Sequence, residues 1–181
     1  MVAVDDVSSG KRLENLARSY SLDVTSEHVP VGGDIDLDRD GLIVVCGPGM
    51  SETIRHLYAQ DPVLNWELGA DETWTISDRR TGVVHRSGRD GDPTRPHDVG
   101  YLARLPRPDG RGSLLAIGGI YTQGSLGVVH LLASGLGALW GQVGTGKFST
   151  LVGVEYDPET SEPKSVELLC PLYRHEEDAP A

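Results

Sequence analysis

Residues 113–140, SLLAIGGIYTQGSLGVVHLLASGLGALW, decide how the chain is read. A short apolar run, Leu114 to Ile117, enters a glycine-rich turn, and the turn opens into a helical pattern from about Ser125 toward Trp140. Strand, glycine turn and helix in that order build an anion or nucleotide cradle in an open α/β sheet, because the free amides of a helix N-terminus face the ligand. GLIVVCGPGMSETIRHL, residues 41–57, repeats the same grammar more weakly. Two such turns predict one shared crevice.

The flanking segments extend this reading. Leu42 to Cys46 is apolar without alternation, as in strands covered on both faces, which favours a parallel sheet between helices. Ser51 reads as an N-cap, and Ile54, Leu57 and Tyr58 as the inward stripe of a helix ending near Asp61-Pro62. TWTISD and GVVHRS, joined by Arg79-Arg80-Thr81-Gly82, predict a β-hairpin anchored by Trp74. Ser87 to Asp98 has no apolar residue outside its prolines and is expected to be a mobile loop able to cover the crevice. Val99 to Leu105 and Phe148 to Tyr156 read as strands, and the second completes a strand-helix-strand unit begun at Leu114. Ser165 to Tyr173 is expected to pair antiparallel with it, and KRLENLARSY near the N-terminus has the spacing of a short amphipathic helix. The expected fold is α/β, three-layer and Rossmann-like, a mostly parallel sheet with an inserted β-hairpin and an antiparallel C-terminal strand. One domain spans 41–174, preceded by a helix and acidic loop (1–40) and followed by a flexible tail (175–181).

Composition bounds the function. At 181 residues, 38 % hydrophobic and 24 % charged, the chain suits one globular domain. A net charge of −11 argues against nucleic acid as a partner, since that affinity comes from cations displacing counterions. The longest apolar run, Leu126 to Trp140, is broken by His130, Ser134 and glycines, so no membrane span is expected. The N-terminus shows no secretory pattern, and Cys46 and Cys170 lie in apolar runs; both read as reduced, buried thiols of a cytoplasmic protein.

Four motifs carry chemistry or imitate it. In GGIYTQGS, Gly118, Gly119 and Gly124 would let backbone approach a ligand, while Tyr121, Thr122 and Ser125 offer hydroxyls beside the helix N-terminus; the alternative is that the glycines serve tight strand-helix packing. CGPGMS would add Gly47, Gly49 and Ser51, although Glu52 in the next turn would repel a phosphate. GQVGTGKF has P-loop spacing, but Phe148 stands where Ser or Thr must hold magnesium and a strand follows where a helix should; Gly141 or Gly144 is better read as a helix C-cap. DLDRDG, residues 36–41, fits the start of a calcium loop whose twelfth position is Gly47 instead of Glu, and reads as an acidic turn. The six histidines show no metal-ligand spacing, so neither metal nor cofactor is expected, and His130 reads as a core histidine. Arg104, Arg107 and Arg111 read as a solvated basic patch or partner contact.

GGIYTQGSLGVV resembles the glycine turn of the Rossmann-like superfamily of lysine-decarboxylase-like phosphoribohydrolases and related nucleotide-sensing domains. Gly118, Gly119, Gly124 and Ser125 take the matching positions, and Leu126, Gly127 and Val128 replace the acidic pair of the hydrolytic members. The resemblance implies a nucleotide-like ligand without hydrolysis. Over 42–174 the chain is also similar to an uncharacterised domain of small bacterial proteins and bacterial regulators, through VVCGP, LPRPDGRG, GGI with GSLG, and EYDP. The expected function is thus a cytoplasmic, regulatory binding or sensor domain for a nucleotide-like or other small anionic ligand. The rivals are a nucleotide glycosidic-bond hydrolase using Glu52, His130 or Asp98 as general acid or base, and a protein-interaction module built on the Trp/Arg hairpin.

Overall fold

Alternation along the long strands sets the architecture of the computed structural model, which describes residues 4–92 and 94–175. Strand β5 (His97–Pro106) sends Val99, Tyr101, Ala103 and Leu105 into one core and Leu102 into another; β7 (Phe148–Tyr156) sends Leu151 to the first and Phe148, Val152 and Val154 to the second. Both faces of the central sheet are therefore buried, as the apolar runs require. Over the second face lies helix α4 (Thr122–Val143), backed by α1 (Val4–Ser19). The first face is covered by α2 (Glu52–Tyr58) and a small antiparallel sheet of β2 (Leu64–Leu68), β3 (Trp74–Asp78) and β4 (Val84–His85).

The central sheet runs β1 (Ile43–Val45), β6 (Ser113–Gly119), β5, β7, β8 (Pro163–Leu168), with β9 (Tyr173–Arg174) also on β7. Among the described residues only β1 and β6 pair in parallel; the other pairings are antiparallel, so the expected mostly parallel, Rossmann-like sheet is not what forms. The reason lies in RPDGRG: a link of a few residues between β5 and β6 allows only antiparallel pairing, whereas parallel neighbours need a long crossover. The strand-helix-strand unit β6-α4-β7 does form, with β5 lying between its strands.

Residues 1–40, expected as an appendage, contribute Leu13 to one core and Leu37 to the other. Helix α4 runs on unbroken through Gly135 and Gly137, and Leu139 and Val143 are buried beyond them. It thereby attains the length and apolarity of a bilayer-crossing helix, although its first half is buried against the sheet. Gly144 ends it at φ 52°, its amide donating to Trp140 O at 2.8 Å, as the C-cap reading of GQVGTGK requires. Cys46 and Cys170 are both buried and form no disulfide among the described residues. Of the expected tail, His175 is described and buried at its side chain, while 176–181 lie outside the described residues.

The arginines expected to be solvated are mostly spoken for. Arg104 Nη1 donates to Gly144 O at 2.6 Å, placing a cation at the C-terminus of α4. Arg107, 8 % exposed, binds Asp40, Asp109 and the Arg111 carbonyl. The acidic loop is its counterpart: Asp38 accepts from the Asp109 amide at 2.9 Å. Arg107→Ala should therefore cost about 1–3 kcal/mol by leaving this turn unsatisfied, measurable by urea unfolding, whereas Arg111→Ala should be close to neutral.

Candidate functional site

The two glycine turns do meet, and they leave no room between them. An added Cβ on Gly47 would lie 3.2 Å from the carbonyl oxygen of Gly119. On Gly119 it would lie 2.5 Å from Ser125 N, and on Gly124 2.8 Å from both Gly119 Cα and the Val99 carbonyl carbon. Gly118 is needed for another reason: Tyr58 Oη and Trp66 pack onto it, and Tyr58 donates to Cys46 O at 2.5 Å. These glycines press α4 and the β1-α2 turn onto the strands, so the packing alternative accounts for them.

The anion seat at the α4 N-terminus is filled from inside. Asp98, at the start of β5, turns its carboxylate onto the first turn of α4, where Oδ2 accepts from Tyr121 N at 3.0 Å and Gly124 N at 2.6 Å. A carboxylate there meets the free amides and the positive end of the helix dipole, as an external anion would. Asp98 is 1 % exposed, and burial pushes its carboxyl up to about 7 against the lowering pull of the Val99, Gly124 and Tyr121 amides. Segment 87–92, part of the expected loop, closes over it: Ser87 caps a single helical turn, α3 (Gly88–Gly91), and the Tyr121 hydroxyl donates to Asp90. The Arg89 guanidinium lies 4.9 Å from the Tyr121 ring centroid. Tyr121 is thus the N-cap residue of α4, Thr122 follows it, and Ser125 is buried.

On the far side of the β1-α2 turn, the structure opens instead. A cleft of about 200 Å³ lies between α2 and the small sheet, lined by Pro48, Arg55, Asn65, Trp66, Leu68 and Trp74. Trp66 stacks on Tyr58 with 5.4 Å between centroids and meets Trp74 edge-on at 6.3 Å. The Trp66 indole Nε1 is buried without a hydrogen-bond partner among the described residues. Arg55 stands exposed on α2 and enters no ion pair among the described residues. Of the expected binding residues, Gly49 packs by Trp74, its Cβ position lying 3.4 Å from Nε1, while Ser51 caps α2 through Ile54 N at 3.2 Å. Strand β2 went unread in the sequence, although Leu64, Trp66 and Leu68 alternate in it.

The three candidate acids and bases lie apart. Glu52 is exposed at the start of α2, His130 lines an open groove with Arg12 and Asn15 of α1, and Asp98 is sealed. A second polar group, unforeseen, has a triad-like composition: Ser149 Oγ lies 2.9 Å from His175 Nε2, which lies 3.5 Å from Asp61 Oδ1. Both partners meet the same ring nitrogen, whereas a nucleophile relay uses one nitrogen for each. Ser149 is fully buried, and Asp61 spends its oxygens on the amides of Val63 and Leu64 and on the Tyr101 hydroxyl. This network ties His175 to β7 and to the turn that leads into β2.

Comparisons of the chain with family models, with curated proteins and with solved structures find no match.

Proposed function

We propose that the protein is a binding or sensor domain for a small, planar, anionic molecule, its ring held against Trp66 and Trp74 and its charge met by Arg55. The observation that supports this is the cleft, lined by two indoles and by the guanidinium of Arg55, which enters no ion pair among the described residues. Flat aromatic walls with one or two polar groups are the usual lining of small-molecule sites. A volume of about 200 Å³ lies below the range of about 300–1,000 Å³ common for drug-sized ligands, so it suits one ring system. A nucleotide would enter by its base and leave its phosphate outside, beside Arg55. The nucleotide-like class expected from the glycine turn is thereby kept, and its seat moves from the α4 N-terminus to the other side of the β1-α2 turn.

Titration with indole-3-carboxylate and with adenosine monophosphate tests this through tryptophan fluorescence. Quenching is expected, and Arg55→Ala should weaken it by about tenfold, the loss of one charge-assisted contact. No quenching at millimolar probe, or equal quenching in Arg55→Ala, would overturn the reading. Leu68, Val83 and Val84, 52 %, 49 % and 49 % exposed on the same small sheet and its turn, favour a protein partner as the second reading. In that case Leu68→Asp abolishes partner capture, and the probes bind no better than to an unrelated protein.

A further inference from the structure

Segment 87–92 and the first turn of α4 enclose Asp98. Its Oδ2 holds the amides of Tyr121 and Gly124, while Oδ1 is buried without a hydrogen bond of good geometry among the described residues, with the Val99 amide and the Ser87 hydroxyl nearby. The strap over it is tied by Ser87 Oγ donating to His97 O at 3.1 Å, by the Tyr121 hydroxyl donating to Asp90, and by Arg89 stacked on the Tyr121 ring. Tyr121 from α4 and Tyr156 from β7 face the carboxyl, and the strap reaches these rings in turn, Arg89 and Asp90 facing Tyr121 and Arg89 facing Tyr156; His97 and its cross-strand partner Glu155 lie one place along. None of these forms an ion pair with Asp98.

We propose that Asp98 is a protonation switch that sets how firmly the strap 87–92 closes over the first turn of α4. Protonated on Oδ1, the acid keeps both amide bonds on Oδ2 and buries no charge. Ionised, it leaves an anionic oxygen in a dry site, a costly state that a water molecule or the Arg89 guanidinium must relieve. Admitting water, or drawing Arg89 off the Tyr121 ring, requires the strap to lift. The closed form holds its proton up to about pH 7, whereas an opened, hydrated Asp98 titrates near 3.8. Closure is therefore favoured below neutrality and weakens as pH rises through about 7.

Hydrogen exchange at the amides of 88–91, corrected for the intrinsic pH dependence of exchange, reads the switch directly. One linked proton predicts that protection falls about tenfold between pH 6 and pH 8, and that Asp98→Asn shows no such fall. A carbon-13 titration of the Asp98 carboxyl in the unmodified protein supplies the readout if that variant fails to fold; its midpoint should lie near 7 and coincide with the change in protection. Constant protection across this range, the same fall in Asp98→Asn, or a carboxyl titrating in the ordinary range would each overturn the switch.

Discussion

Gly124→Val should destabilise the protein by about 3 kcal/mol or more, because side-chain atoms would be driven into the backbone of β5 and β6, which cannot give way. For a chain of this size that is a fall in Tm of roughly 6–12 °C. Gly135→Ala supplies the contrast: its Cβ meets open space within α4, so removing a helix-interior glycine should stabilise by roughly 0.5–1 kcal/mol. Were Gly124 there to admit a ligand, the valine variant would keep its stability and lose binding. Thermal unfolding of both variants, with and without probe, separates the two roles.

The second large effect concerns pH. In the folded protein the Asp98 carboxyl is raised from 3.8 to about 7 by burial, so between these values the folded state holds a proton that the unfolded chain has released. Stability must then fall as pH rises from about 4 to about 7 and level off above it. At about 1.4 kcal/mol per pH unit, this one group is worth on the order of 4 kcal/mol. Other carboxyls superimpose slopes of the opposite sign, so the quantity to measure is the difference from Asp98→Asn. Urea unfolding across this range should show that difference moving in favour of the Asn variant as pH rises. A parallel pair of curves would contradict it.

Much of this was legible along the chain, and the places where it was not have physical causes. Ser51, Ile54, Leu57 and Tyr58 signalled α2 because capping and a 3.6-residue period are local. The turn after Asp78 and the cap at Gly144 were readable for the same reason. Sheet direction is a property of pairing, and unbroken apolar runs such as Leu42 to Cys46 report only that both faces are covered. The short β5-β6 link carried the missing information, since RPDGRG is too brief to cross over a sheet. Within the candidate site, glycines and hydroxyls marked a place where backbone comes close, without saying to what. The answer, an aspartate 23 residues before Tyr121 in sequence, is a long-range contact that no local pattern encodes. Trp66 was missed because β2 is short, while its partners Tyr58, Trp74 and Tyr101 come from three other elements.

The sharpest discrimination between the aromatic cleft and the α4 N-terminus comes from a nitrogen-15 correlation spectrum recorded during titration with indole-3-carboxylate. The indole N–H signals of Trp66 and Trp74 should move together and saturably, with that of Trp140, exposed on α4, as the unmoved reference. The backbone amides of Tyr121 and Gly124, already bound to Asp98, should stay in place. Movement of Tyr121 and Gly124 with both cleft indoles still would contradict the assignment and return the site to the helix N-terminus.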